Sequence, residues 1–323
     1  MKRALLLSFL LTTGVRAGNL DQYNAVWDSP STNSWGSMPI GNGDIGANVW
    51  VEPSGELVLL LSKTDSWDEV SRLCKLGRLR IKLPSVANFR QELRLAEGEI
   101  LITAGGTTTR LRPDSPEVGT TAWQARVWID ANRPVVHVEM EAGQPFTTSV
   151  AHETWRTQKR ALKGGEIRGS TGLSKLPAAE RPSVDADTAP DGQKDQIVFF
   201  HRNTASVWGA HMRAQLMGDF IKPDADPLLN CTFGCLVRGG GLVSDGKGTL
   251  TAKAPATRFS IAITALTAQT PPGDKWIQKV TALADAAGRV PLDQARTEHA
   301  KWWRDFWNRS WIVVSGAKEG NDK

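Results

Sequence analysis

Ala47-Asn48-Val49-Trp50-Val51-Glu52-Pro53-Ser54-Gly55-Glu56-Leu57-Val58-Leu59-Leu60-Leu61-Ser62 is the stretch that decides the fold. Two β-type runs, Ala47–Val51 and Glu56–Ser62, flank Glu52-Pro53-Ser54-Gly55. Proline presets φ at the second turn position and glycine suits the fourth, so these four residues predict a type I turn inside a hairpin. Leu59-Leu60-Leu61 does not alternate with polar residues, as expected of a strand buried on both faces.

Similar runs follow outward from this hairpin. They are Leu79–Leu83, Phe89–Leu95, Glu99–Thr103, Thr107–Arg112, Ala122–Asp130, Val135–Glu141, Phe146–Glu153, Ile197–His201, Ser206–Leu216, Cys235–Arg238, Thr249–Lys253 and Phe259–Leu266. Short strands without helices between them predict a mainly β chain, a large antiparallel β-supersandwich over residues 18–272. Gly239-Gly240-Gly241 lacks the strand-loop-helix setting of a phosphate loop and reads as a turn. Residues 157–195 interrupt the pattern, with few apolar side chains, bases in the first part and aspartates in the second. Such a polar insertion reads as a mobile surface excursion in preference to a functional flap.

After Pro271-Pro272-Gly273 the period changes. Lys275–Ala287 and Asp293–Trp307 read as helices, so residues 273–323 form a C-terminal helical linker. Ala295, His299, Trp302, Trp303 and Phe306 share one helical face, and Trp307 widens it. Trp311-Ile312-Val313-Val314 resumes as a strand. An aromatic face of this size needs a large apolar partner, either the sandwich or a further domain.

The 323 residues carry 39 bases and 34 acids. Residues 1–17, MKRALLLSFLLTTGVRA, have a basic start, a short apolar core and small residues before a cleavage point after Ala17. They read as a secretory signal peptide too short to span a bilayer stably, so the protein is expected to be exported to the periplasm or beyond, without a membrane span in the mature chain. Cleavage would leave 36 bases against 34 acids and no polybasic block, which argues against nucleic acid as a partner. Of three cysteines, Cys231 and Cys235 lie close enough in sequence to form a disulfide if a turn joins them. Neither the cysteines nor the five histidines have metal-ligand spacing, so no metal and no cofactor is expected.

The segment Trp35-Gly36-Ser37-Met38-Pro39-Ile40-Gly41-Asn42-Gly43-Asp44-Ile45-Gly46-Ala47-Asn48-Val49-Trp50 resembles the opening of glycoside hydrolase family 95, the α-L-fucosidase type. It resembles still more closely a related family of domains of unknown function found at the front of similar proteins. Its glycines permit a tight loop, and Asn42 can bond local amides to hold it. Leu61-Ser62-Lys63-Thr64-Asp65-Ser66-Trp67 is similar to a second element, although the fucosidase type has Asn-Glu where Ser62-Lys63 stand. His299-x-x-Trp302-Trp303-x-x-Phe306-Trp307-x-x-Ser310-Trp311-Ile312 is similar to the linker that precedes a catalytic barrel. The resemblance implies a supersandwich, a helical linker and an (α/α)₆ barrel that carries the catalytic acid and base. This chain reaches only the linker, so no catalytic residue is carried over to it, and the barrel is expected as a partner in cis or in trans.

Candidate carbohydrate-binding residues are Trp35, Asn42, Asp44, Trp67, Asp68, His152, Trp155 and Arg156, because indole faces stack on sugars and nearby polar groups hold hydroxyls. Asp65, Asp68 and Glu69 together read as a solvated turn in preference to a sugar loop or cation site. His299, Trp302, Trp303, Phe306 and Trp307 are candidates for interdomain packing. The expected function is that of a non-catalytic sandwich domain of an exported glycoside hydrolase, shaping the sugar cleft of a helical barrel. The alternative is a stand-alone secreted carbohydrate-binding or scaffold protein.

Overall fold

The computed structural model describes residues 20–309, apart from 107, 110–117, 120, 121, 169, 170, 223 and 271. The expected leader, the Trp311–Val314 strand and most of Thr107–Arg112 lie outside the described residues. Along the chain the strands are β1 (Ala25–Trp27), β2 (Met38–Gly41), β3 (Ile45–Val51), β4 (Glu56–Trp67), β5 (Leu73–Lys82), β6 (Arg90–Arg94), β7 (Glu99–Ala104), β8 (Thr108–Thr109) and β9 (Val118–Gly119). They continue with β10 (Trp123–Ile129), β11 (Val135–Phe146), β12 (Ser149–Glu153), β13 (Gln196–Arg202), β14 (Cys231–Gly239), β15 (Leu242–Ser244), β16 (Thr249–Ala252) and β17 (Ala256–Gln269). The helices are α1 (Gly165–Arg168), α2 (Thr171–Lys175), α3 (Trp208–Ala214), α4 (Gly273–Gly288) and α5 (Leu292–Trp307).

Two antiparallel sheets face each other. One has the order β1-β6-β7-β10-β11-β17-β14-β13, the other β15-β16-β12-β5-β4-β3-β2, with β8-β9 as a small ribbon. The hairpin that opened the reading is β3-β4. Gly55 N–H donates to Glu52 O (2.9 Å) at φ +89°, where a side chain would be strained, and Val51 then pairs with Leu57. Alternate residues of each strand enter one core: Val49, Leu57, Leu59 and Leu79 from one sheet, Ile102, Val127, Val138, Phe199, Phe233 and Ile263 from the other.

The aromatic helix face divides on the structure. α4 seats Trp276, Val280 and Ala284 on the outward side chains of Val198, Phe200 and Leu236. α5 follows over the same sheet, and buried His299 accepts the Ala131 N–H at Nδ1 (3.2 Å) beside Trp128. Trp307 Nε1 donates to Leu95 O (2.7 Å), and the Trp303 indole fills the space beside Gly98, where a Cβ would overlap it. Trp302 instead stacks on Phe306, at 5.5 Å and 8°, and Phe306 remains 37% exposed.

Three expectations are corrected. Ser206–Leu216 holds the helix α3, because Val207 and Ala210, one helical turn apart, pack with Val70, Leu173 and Leu228. The described part of the insertion packs as a cap: its Leu162, Leu173 and Val184 join Val70, Val207 and Leu228 in a second small core, and Arg160 bridges Val184. Cys231 and Cys235 share one extended strand, roughly 13 Å apart at ~3.3 Å per residue, beyond disulfide reach. Cys74, Cys231 and Cys235 are all free thiols.

Candidate functional site

The turn between β4 and β5 organises the site. Asp68 is fully buried and accepts the N–H groups of Val70 (3.1 Å) and Arg72 (2.8 Å) at Oδ1. Arg72 Nε donates to its Oδ2 at 2.8 Å. Five residues thus close on themselves around one carboxylate, with Ser71 in the left-handed region at φ +63°. The expectation of a solvated turn is corrected for Asp68 and Glu69, both fully buried, while Asp65 stays half-exposed beside Lys63.

Glu69 reaches into a charged knot built from three distant segments. His201, on β13, donates from Nε2 to Glu69, 3.2 Å from both carboxylate oxygens, and from Nδ1 to Asp187 Oδ1 at 3.0 Å. Arg156 Nε donates to the same Asp187 oxygen at 2.6 Å, and the Thr154 hydroxyl also donates to Asp187. Asp185 N–H donates to Glu69 Oε1 (3.0 Å). Burial alone would lower the His201 pKa, but hydrogen bonds to Asp187 and Glu69 override it and push the group up to about 9. Burial likewise works to raise the Asp187 pKa, while His201, Arg156 and Thr154 bring it below the ordinary carboxylate value. Two cations therefore face two carboxylates out of water.

A Glu–His–Asp set invites comparison with acid–base machinery. A general base needs a free lone pair within reach of a substrate proton. Both ring nitrogens of His201 are engaged by carboxylates and the ring is fully buried, so the set ties the insertion to the sandwich.

The accessible chemistry lies in front of this knot. A cleft of about 540 Å³ opens between the start of β5 and the insertion, lined by Trp155, Arg72, Lys75, Arg160, Glu166 and Asp185, among others. That size suits a small ligand. Trp155 is 51% exposed, with the Arg156 guanidinium 5.4 Å from its ring centroid. Glu166 is bound by Arg160 (2.7 and 2.8 Å) and Arg72 (2.8 Å), with Arg160 the chief cause of its pKa lying at about 2. Lys75 Nζ donates to Asn48 Oδ1 at 3.3 Å. Burial, and then Asp68, raise the Cys74 thiol to about 12, so this cleft residue is no thiolate near neutrality.

A larger cavity of about 650 Å³ lies where the α4–α5 connection crosses the sheet. Its walls mix aliphatic side chains such as Leu236, Ile261 and Leu292 with charged ones such as Asp195 and Arg289. Among its polar groups, Arg133 Nη1 holds Asp130 at 3.0 Å, and His137, which burial lowers to about 4, stacks on Trp128 at 4.2 Å.

Of the sequence candidates, Trp155 and Arg156 line the cleft and Asp68 stands behind it, fixing Arg72. The others lie elsewhere among the described residues. Asn42 Oδ1 accepts the N–H groups of Asp44 and Ile45, and its Nδ2 donates to Asp130 O (2.8 Å), which joins the tight loop to the opposite sheet. Asp44 pairs with Lys63 at 2.8 Å. His152 points into the core, stacked 3.8 Å from Phe199, and burial lowers its pKa to about 4. Trp67 ends β4 outside the cleft, and Trp35 is 95% exposed on a short 3₁₀ turn. Sequence reasoning did not single out Arg72, Lys75, Arg160, Asp187 or His201. The only available signal was their position at strand ends and within the insertion.

A search of the curated proteins finds no match. A solved structure titled "Putative kojibiose phosphorylase from human microbiome" aligns with a TM-score of 0.41 and 10% identity, over 88% of this chain and 38% of that one. The chain thus spans little more than a third of that protein's length. A family model described as "Domain of unknown function (DUF5703)" matches residues 26–312. With the two-sheet sandwich and the helices α4 and α5 inside that match, the chain belongs to the DUF5703 family.

Proposed function

We propose that this chain is a non-catalytic sandwich domain of an exported carbohydrate-active protein of the glycoside hydrolase family 95 type. Its Trp155 cleft contacts sugar, and the exposed Trp302–Phe306 edge of α5 meets a helical barrel carried in cis or in trans. The observation that carries this proposal is Trp155: a half-exposed indole in an open cleft, held by a neighbouring guanidinium. An indole face suits the C–H face of a sugar ring, and its N–H adds a donor.

The cleft carboxylates support a binding role over a hydrolytic one. Glycoside hydrolysis requires a carboxylic acid that still holds its proton at working pH. Arg160, chiefly, holds the Glu166 pKa down to about 2, so this carboxylate is ionised near neutrality. Asp185 is partly desolvated, yet Lys159 and Thr204 keep it below the ordinary value.

The test is a panel of immobilised polysaccharides and aryl-glycosides offered to the 1–323 protein. Saccharide binding that falls at least tenfold in Trp155→Ala, without turnover, is expected. Turnover abolished by substituting one carboxylate of this chain would overturn the non-catalytic role. Undiminished binding in Trp155→Ala would remove the cleft from it. Export is checked by mass spectrometry of secreted protein, with a mature chain starting at Gly18 expected.

A further inference from the structure

We infer that the Trp155 cleft is built for an acidic sugar, with the carboxylate of a uronic acid residue received at Lys75. Sugar binding in this cleft, as proposed above, is its premise.

The inference comes from following each charge in the cleft to its partner. Four cations line it (Arg72, Lys75, Arg156 and Arg160) against two carboxylates, Glu166 and Asp185. Arg72 is spent on Asp68 and Glu166, each at 2.8 Å. Arg156 is spent on Asp187, which lies behind the cleft, and Arg160 on Glu166. Asp185, the other lining carboxylate, is met by Lys159 at 2.7 Å. Lys75 is the remaining cation. Its ammonium has a neutral amide oxygen as its hydrogen-bond partner, Asn48 Oδ1 at 3.3 Å, and no carboxylate within ion-pair distance among the described residues.

A half-buried ammonium without a counter-charge is an unbalanced element in a lining where every other charge is matched. Partial burial disfavours its charged form, and an incoming anion would restore it. A neutral sugar could stack on Trp155 but would leave Lys75 as it is. A uronic acid presents both parts needed, a C–H face for the indole and a carboxylate at the ring edge for the ammonium. A lysine acts as a point charge with three donors, so it suits a single carboxylate that must also be released. Leu73, 54% exposed on the same wall, extends the apolar footing for the sugar face.

The experiment is affinity measurement on the whole 1–323 protein with matched probes: polygalacturonate and alginate, their carboxyl-reduced neutral forms, and the sulfated, carboxylate-free carrageenan. At least tenfold tighter binding of one of the two uronans than of its reduced form is expected. Lys75→Gln should collapse that ratio to near one while leaving the weak binding of the neutral form. Lys75→Arg should retain most of it, and Trp155→Ala should abolish both. Equal binding of acidic and reduced forms, or a ratio unchanged by Lys75→Gln, would overturn the acidic-sugar inference and leave sugar binding standing. Carrageenan bound as tightly as the uronans, with the same Lys75 dependence, would overturn the choice of carboxylate. A folded protein that binds none of these probes, and no polysaccharide of the wider panel, would overturn sugar binding itself.

Discussion

The two sheets turn different outer surfaces away from their shared core. The eight-stranded sheet presents Trp128, Val198, Phe200 and Leu236, and α4 and α5 lie across them. The seven-stranded sheet presents a lattice of charges. Glu153 takes Arg78 Nε at 2.6 Å and Arg80 Nε at 2.8 Å, and Arg80 also reaches Glu52 at 2.7 Å. An apolar outer face must be covered, so the histidine and tryptophans beneath α5 are structural by necessity. A charged face can remain in water, and the Trp155 cleft opens at its end. Conspicuous aromatic residues therefore mean different things on the two faces.

The buried knot at His201 joins the two sides, because Glu69 follows β4 of the open sheet and His201 lies on the edge strand of the covered one. Glu69→Ala leaves an imidazolium facing one carboxylate that it shares with Arg156. Breaking a buried pair in this way costs about 3–5 kcal/mol. At roughly 1.5 °C per kcal/mol for a chain of this size, the midpoint of thermal unfolding should drop by about 5–8 °C. A drop below about 2 °C would show that the two sides stand independently of the knot.

The same knot sets a pH dependence. The folded pKa of His201 is raised above its unfolded value, so its contribution is complete below about 6.5 and is lost as pH rises through about 9. About 2–3 kcal/mol should therefore disappear between pH 6.5 and 9. Denaturant midpoints measured across this window should fall in the native protein and stay nearly flat in His201→Gln. A parallel fall in both would assign the loss to other groups.

On the covered face, Trp303→Ala removes an indole packed on Gly98 and His299, at a cost of about 2 kcal/mol for a partly buried ring. Trp302→Ala, on the outward pair, should cost under about 1 kcal/mol. It should also reduce association with any helical partner, measured by light scattering. Equal costs would mean that the aromatic face of α5 is not divided.

How readable each part was in the sequence follows from the distance over which its cause acts. The β3-β4 hairpin was readable because Pro53 and Gly55 act locally. α4 and α5 were readable from periodicity, within two residues at each end. In Ser206–Leu216, Trp208, Ala210 and Met212 alternate as a strand would, while Val207 and Ala210 keep helical spacing, and contact with Val70 and Leu173 decides for the helix. The first half of β5 was hidden by its basic residues and by the bulge opposite Leu61 and Ser62. Trp155 and Arg156 were visible as an indole beside a guanidinium at a strand end. The knot was not, because Glu69 and His201 are 132 residues apart, and only the folding back of the insertion brings Asp187 between His201 and Arg156. The insertion looked too polar to order because half of its core, Val70, Val207 and Leu228, lies outside it.

The smallest effect belongs to the open face. Arg78 and Glu153 lie 2.6 Å apart, yet each is about a third exposed, so water screens the pair and both side chains give up rotamer freedom to hold it. Arg78→Ala should cost no more than about 0.5 kcal/mol, and half-molar salt should reduce even that, since the screening length is then only about 4 Å. The Trp303 contact, being apolar, should not weaken with salt. Unfolding both variants at low and high salt separates the faces directly: the Arg78→Ala deficit should vanish and the Trp303→Ala deficit should persist. If Arg78→Ala costs as much as Trp303→Ala, the charge lattice carries structural weight comparable to the helical cover. The open face could not then be read as surface left free for a ligand.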